Sequence, residues 1–116
     1  YTAADPSLWW GQGWLLEEER SAAALPSPAP RLLWWLGEGA PERHPPPPGR
    51  DPAAVAAMAQ ARRSVPPDAA ARMAERLRQR GLAVTFTTLP GLGHGQTLGA
   101  SLPPLLAQLS AADAEP

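Results

Sequence analysis

The sequence contains no cysteine. That excludes disulfides, a thiolate nucleophile and any cysteine-held metal. It contains no lysine either, so all its basic side chains are arginines. With abundant alanine and proline, this is the composition of a GC-rich bacterial genome. Acidic and basic residues nearly cancel, to a net charge of −1. No electrostatic case remains for nucleic acid or an anionic membrane as partner. No apolar run is long enough to span a bilayer. No signal peptide is visible, and the first residue is Tyr1 rather than methionine. The expected compartment is the bacterial cytoplasm, with the periplasm as the alternative. The 16 prolines are clustered rather than periodic, which excludes collagen and repeat architectures.

The 116 residues suffice for one small domain. Its most organised stretch is Leu82–Gly95, LAVTFTTLPGLGHG. Leu82, Val84 and Phe86 alternate with Ala83, Thr85 and Thr87, the period of a strand. Pro90, Gly91 and Gly93 then break regular structure and deliver His94. A histidine on a loop anchored by a strand before it and a helix behind it is well placed as a general base. A surface loop histidine without a role has the same local pattern.

Two further strands are expected. Tyr1–Ala4 leads into Asp5-Pro6-Ser7, which has turn chemistry. Arg31–Leu36, RLLWWL, is a continuous apolar run, as in a parallel strand covered on both faces. Helices are expected at Gly13–Ala24, at Ala53–Arg63 with Asp51 as cap and Pro52 at the first position, and at Ala69–Arg80 between Asp68 and Gly81. A last helix is expected from Ser101, with Pro103 and Pro104 in its first turn and Leu102, Leu105, Leu106 and Leu109 as its apolar face. Glu17, Glu18 and Glu19 read as a solvated helix face, because consecutive helical residues diverge and cannot converge on one ion. Arg72, Arg76 and Arg80 read as a second solvated face. Arg43–Arg50 is a proline-stiffened connector that carries His44. His44 and His94 have no third ligand at metal-site spacing, so no metal is expected. The fold class is therefore α/β, with three parallel strands in one sheet and helices on its faces.

In open parallel sheets, functional groups gather beyond the carboxyl ends of the strands. Glu38 and Glu42, just past the second strand, are thus the first residues to examine for an acid. Leu8, Trp9 and Trp10 put an apolar mass beside the first turn, read first as packing.

The phrases YTAADPSLWW, RLLWWLGEG and LPGLGHG, in that order, resemble the C-terminal end of an α/β-hydrolase. The branch they resemble is that of esterases similar to siderophore esterases of the enterobactin and salmochelin type. The resemblance covers nearly the whole chain, as the C-terminal portion of a single hydrolase domain spanning residues 1–116. It implies a serine ester hydrolase with His94 as general base, Glu42 or Glu38 as the acid that orients it, and Trp9 and Trp10 lining the substrate pocket. It implies a small-molecule ester as substrate and no cofactor. Asp5 stands where the resembling pattern has serine. Asp5 or Asp51 in the acid's place, or a serine–histidine dyad, are the other arrangements open to it.

No G-x-S-x-G elbow is present. Gly99-Ala100-Ser101-Leu102-Pro103 lacks the second glycine and follows the histidine, and Ser7 has no glycine on either side. The nucleophile is therefore expected upstream of Tyr1, and the isolated chain is expected to be inactive. Three strands alone leave a sheet edge open to association. Two alternatives follow: a non-catalytic α/β module that binds another chain through that edge, and a serine peptidase of the same superfamily.

Overall fold

The structure, a computed structural model, describes residues 1–39 and 48–113. Its elements are β1 (Thr2–Ala4), a 3-10 turn at Trp10–Gln12, α1 (Trp14–Ser21), β2 (Arg31–Gly37), α2 (Pro52–Arg62), α3 (Ala69–Gln79), β3 (Ala83–Leu89) and α4 (His94–Asp113). The three strands form one parallel sheet in the order β1-β2-β3. The α/β class expected from the sequence is the one observed. Among the described residues, no helix is long and apolar enough to cross a membrane.

β2 is central because its side chains are apolar on both faces. Strand side chains alternate, so Leu32, Trp34 and Leu36 face one way and Leu33 and Trp35 the other. Trp34 is 2% exposed and packs with Leu8, Leu16, Met73, Ala74, Leu77 and Leu82. Phe86 of β3 meets it edge-on, ring centroids 5.7 Å apart. The opposite face of β2 lies against α4, which also contacts β1.

α3 presents the stripe its periodicity predicts: Ala70, Met73, Ala74 and Leu77 are all buried. Gly81 follows it at φ +95°, a left-handed conformation glycine adopts without a Cβ clash. Asp51 caps α2, its Oδ1 accepting the Ala53 N–H at 3.1 Å. Asp68 does not cap α3; its carboxylate takes the Arg72 Nε–H at 2.6 Å instead.

The glutamate run divides. Glu17 and Glu18 are exposed, whereas Glu19 is buried. Its carboxylate accepts from Arg76 Nε at 2.8 Å, and Arg80 Nη1 lies 3.7 Å away. Arg80 also donates to the carbonyls of Glu19, Ala22 and Ala23 at the end of α1. Arg76 and Arg80 therefore lock α1 to α3 rather than forming a solvated face. Helical spacing puts both arginines beside the apolar stripe of α3, where a carboxylate from α1 can reach them.

α4 begins seven residues earlier than expected, at His94 rather than Ser101. Pro103 and Pro104 consequently lie inside it, where each removes a backbone donor. The face turned to the sheet carries buried Thr97 and Ser101, with Leu105 half-buried. Of the expected apolar face, Leu102, Leu106 and Leu109 are exposed, as is Leu98. The docked stripe runs through Thr97, Ser101 and Leu105, four residues apart, and leaves Leu102 and Leu106 off it.

Glu19→Ala should lower stability by about 2–3 kcal/mol, because it leaves the partly buried Arg76 guanidinium without its carboxylate and Arg80 with carbonyl partners alone. The urea midpoint of the purified variant checks this. Glu17→Ala, on the exposed side of the same helix, should change stability by about 0.5 kcal/mol or less.

Candidate functional site

Parallel strands end on a common edge, and here the residues leaving that edge interlock. The β2 exit touches the β3 exit directly: the Glu38 N–H donates to the Leu89 carbonyl at 3.1 Å and the Gly39 N–H to the Leu92 carbonyl at 2.7 Å. This approach requires glycine. A Cβ on Gly37 would press on Thr97 Oγ1 and stand 2.6 Å from the Leu92 carbonyl oxygen. A Cβ on Gly39 would stand 2.7 Å from the same carbonyl. Glycine is needed at both positions for space rather than for a special φ.

His94 is the first residue of α4. The Gly93 N–H is accepted by Gln96 Oε1 at 2.9 Å, while the Gln96 and Thr97 N–H groups donate back to the Gly93 carbonyl. Thr97 Oγ1 adds a third bond to that carbonyl at 3.0 Å. Gln96 thus supplies the returning half of a capping box, and it fixes the backbone on which the imidazole sits. The glutamine three residues after Gly93 is the signal that places the helix start here. Gly95 and Gly99 weaken local propensity enough to hide it.

On the other side of β2, Asp5 ends the β1 ladder. Its N–H donates to the Trp35 carbonyl at 2.7 Å, one register step beyond Ala4. Its φ is +48°, a left-handed conformation in which aspartate is enriched. Asp5 Oδ2 lies 3.0 Å from His94 Nδ1. The Asp5 side chain is 16% exposed and that of His94 58%. A sheltered carboxylate therefore faces one nitrogen of a ring that is otherwise open. In the neutral tautomer with a proton on Nδ1, that proton is donated to Asp5 and the Nε2 lone pair is free to accept another.

The remaining candidates are dispersed. Glu38 is exposed, and its carboxylate has no hydrogen-bond partner among the described residues. Glu42 lies outside the described residues, as does His44. Trp9 is half-buried beneath the Arg62 guanidinium, which stands 5.7 Å from its ring centroid. Trp10 is 65% exposed and meets Trp14 edge-on at 6.3 Å. Asp51 is occupied as the α2 cap. Among the described residues, no group of three histidine or acidic side chains could hold a metal ion. Sequence reasoning reached Asp5 only as a substitute acid. The available signal was a carboxylate at the exit of a strand parallel to the histidine strand.

Gly37→Ala should lower stability by about 1–3 kcal/mol through overpacking against Thr97 and Leu92. It should also displace His94, seen as a change in its ring resonances. Gly99→Ala is the control: a Cβ there meets nothing within 4 Å, and the helix should gain up to about 1 kcal/mol.

No protein-family model matches this chain, and no solved structure matches it. The chain is an α/β fold built on a three-strand parallel sheet, with an aspartate and a histidine brought together across the sheet's carboxyl edge.

Proposed function

We propose that this chain is part of a serine ester hydrolase resembling the siderophore-esterase-like branch of the α/β-hydrolases, and that it supplies the general base. The observation that carries this reading is His94 at the carboxyl edge of a parallel sheet, with one ring nitrogen facing a carboxylate and the ring more than half open. His94 Nε2 takes the proton of a serine hydroxyl as its oxygen attacks the ester carbonyl, then returns that proton to the leaving alcohol. A carboxylate on Nδ1 holds the tautomer; the resemblance gives that part to Glu42 or Glu38. The resemblance gives Trp9 and Trp10, on the turn after Asp5, a place in the pocket for a small-molecule ester. The chemistry calls for no cofactor. Neither Ser7 nor Ser101 fits the nucleophile's part. Ser101 is buried in α4 and donates to the Leu98 carbonyl at 2.9 Å. The serine comes from a nucleophile-bearing portion that pairs with this one. A serine peptidase of the same superfamily would use the same machinery on an amide.

The test is made in the polypeptide that carries the nucleophile. His94→Ala should lower kcat/KM for a 4-nitrophenyl ester on the order of a thousand-fold or more. His44→Ala should leave it near wild type. Equal, mild effects from both would remove His94 from the mechanism.

A second reading, a non-catalytic α/β module that binds another chain, is favoured by a different observation. Residues between His94 and Asp113 carry no charged side chain, and Leu98, Leu102, Leu106 and Leu109 are exposed along α4. The outer edge of β1 has no paired strand among the described residues. The radius of gyration is 16.1 Å, against about 13 Å for a closed domain of this length. Under this reading the chain associates in solution. Leu102→Glu with Leu106→Glu should return it to a monomer in sedimentation velocity.

A further inference from the structure

We propose that Asp5, rather than Glu38, is the carboxylate that positions His94 for proton transfer. The chemistry it serves is that of the hydrolase reading above, on which this inference rests. The two side chains come from the exits of β1 and β3, the strands that flank β2, so the pair bridges the whole carboxyl edge of the sheet.

Three observations single out Asp5. The first is contact: Oδ2 is 3.0 Å from Nδ1, a hydrogen-bond distance, whereas the exposed Glu38 carboxylate has no partner among the described residues. The second is anchoring. The Asp5 backbone is tied by a 2.7 Å hydrogen bond to Trp35, itself 3% exposed in the middle of the sheet. His94 is tied by the cap around Gly93, Gln96 and Thr97. Both partners are thus fixed through their backbones, and little freedom must be lost to align them. The third is the contrast in exposure, 16% for the acid against 58% for the histidine. A carboxylate sheltered from water interacts more strongly with the ring, while the ring's far side stays open to a substrate.

The left-handed φ of Asp5 has the same sense. A non-glycine residue at +48° is uncommon, and here it is held by the ladder bond that turns the carboxylate toward α4. With the Nδ1 proton donated to Asp5, Nε2 presents its lone pair outward. During attack the serine O–H proton passes to Nε2 as the oxygen bonds the acyl carbon. The imidazolium so formed is stabilised by the Asp5 carboxylate, which stays ionised. When the ester C–O bond breaks, the Nε2 proton goes to the departing alkoxide, and the ring returns to its starting tautomer.

The test reads the tautomer directly. The chain has two histidines, so a ¹⁵N-labelled His44→Ala chain shows a single set of ring signals. At alkaline pH, with the imidazole neutral, the expected pattern is a protonated Nδ1 and an unprotonated Nε2. Asp5→Asn, placed in that background, should abolish or invert it, because an amide can donate to Nδ1. Asp5→Glu should restore it in part, and Glu38→Gln should leave it unchanged. In the polypeptide carrying the nucleophile, Asp5→Asn should lower kcat about a hundred- to ten-thousand-fold with KM little changed. Glu38→Gln should stay within about twofold of wild type on the same measure. A wild-type ring protonated on Nε2, or a pattern indifferent to Asp5→Asn, overturns the assignment. Loss of activity in Glu38→Gln but not in Asp5→Asn transfers the role to Glu38. If the tautomer responds as expected but no serine in that polypeptide reacts with a fluorophosphonate, the hydrolase reading is what has failed. Asp5 then still sets the tautomer of His94, without the ester chemistry.

Discussion

The arrangement depends on β2 being hydrogen-bonded along both edges at once. Its register with β1 runs Thr2 to Leu33 through Ala4 to Trp35, and with β3 from Arg31–Ala83 to Gly37–Leu89. Both ladders continue one step past the strands, through Asp5 to Trp35 on one side and Glu38 to Leu89 on the other. Those terminal steps set the separation of Asp5 and His94. A slip of one residue in either ladder would turn every side chain of the slipped strand to the opposite face. Register is held by burial, because Leu33, Trp34 and Trp35 are each at most 4% exposed. Burial has a cost: the indole N–H groups of Trp34 and Trp35 have no partner among the described residues, and each such group is worth on the order of 1–3 kcal/mol of lost solvation. The packing of two large rings offsets it.

The two faces of the sheet are covered by different means. One face carries the larger core, where α3 contributes Met73 and Leu77 and α1 contributes Leu16. There the Glu19–Arg76–Arg80 cluster joins the helices at their rim, and Arg80 also satisfies carbonyls left open at the end of α1. The other face is covered by α4 through small side chains. Thr97 and Ser101 return their hydroxyls to helix carbonyls at Gly93 and Leu98, so each is buried without an unpaired polar atom. Small residues at that contact let the helix start approach Gly37 closely, and this brings His94 to the edge.

Much of the fold was legible because its signals were local. The alternation of Leu82–Thr87, the apolar run of β2, the stripe of α3 and the Asp51-Pro52 start of α2 each follow from neighbours in sequence. What escaped depended on partners far along the chain. Glu19 looked like its exposed neighbours until α3 supplied two arginines. The start of α4 was masked by Gly95 and Gly99, and its prolines suggested a helix beginning only at Ser101. Tertiary packing and the Gln96 cap outweighed those propensities. For the site, His94 and the sheet edge were readable. Asp5 was reached only as a substitute for the acid, because residues 5 and 94 are related only through the parallel pairing of their strands with β2. Nothing local in the sequence marks Gly37 and Gly39 as tight positions, and their need for space emerges only from Leu92 lying against them.

The pairing of Asp5 with His94 spans 89 positions of sequence. No hairpin or single helix can form it. The chain must complete the crossover from β1 to β2 and then the longer one from β2 to β3 before the two side chains can meet. Both closures cost entropy that rises slowly with loop length, and contacts of this kind are recovered late relative to helix formation. The carboxylate–imidazole contact therefore exists only in molecules whose three strands have all been assembled. A chain arrested with α3 docked on β2 but β1 unpaired would hold most of the larger core and none of the site. The Asp5–His94 contact is thereby absent from every partly folded form in which β1 has not yet paired with β2.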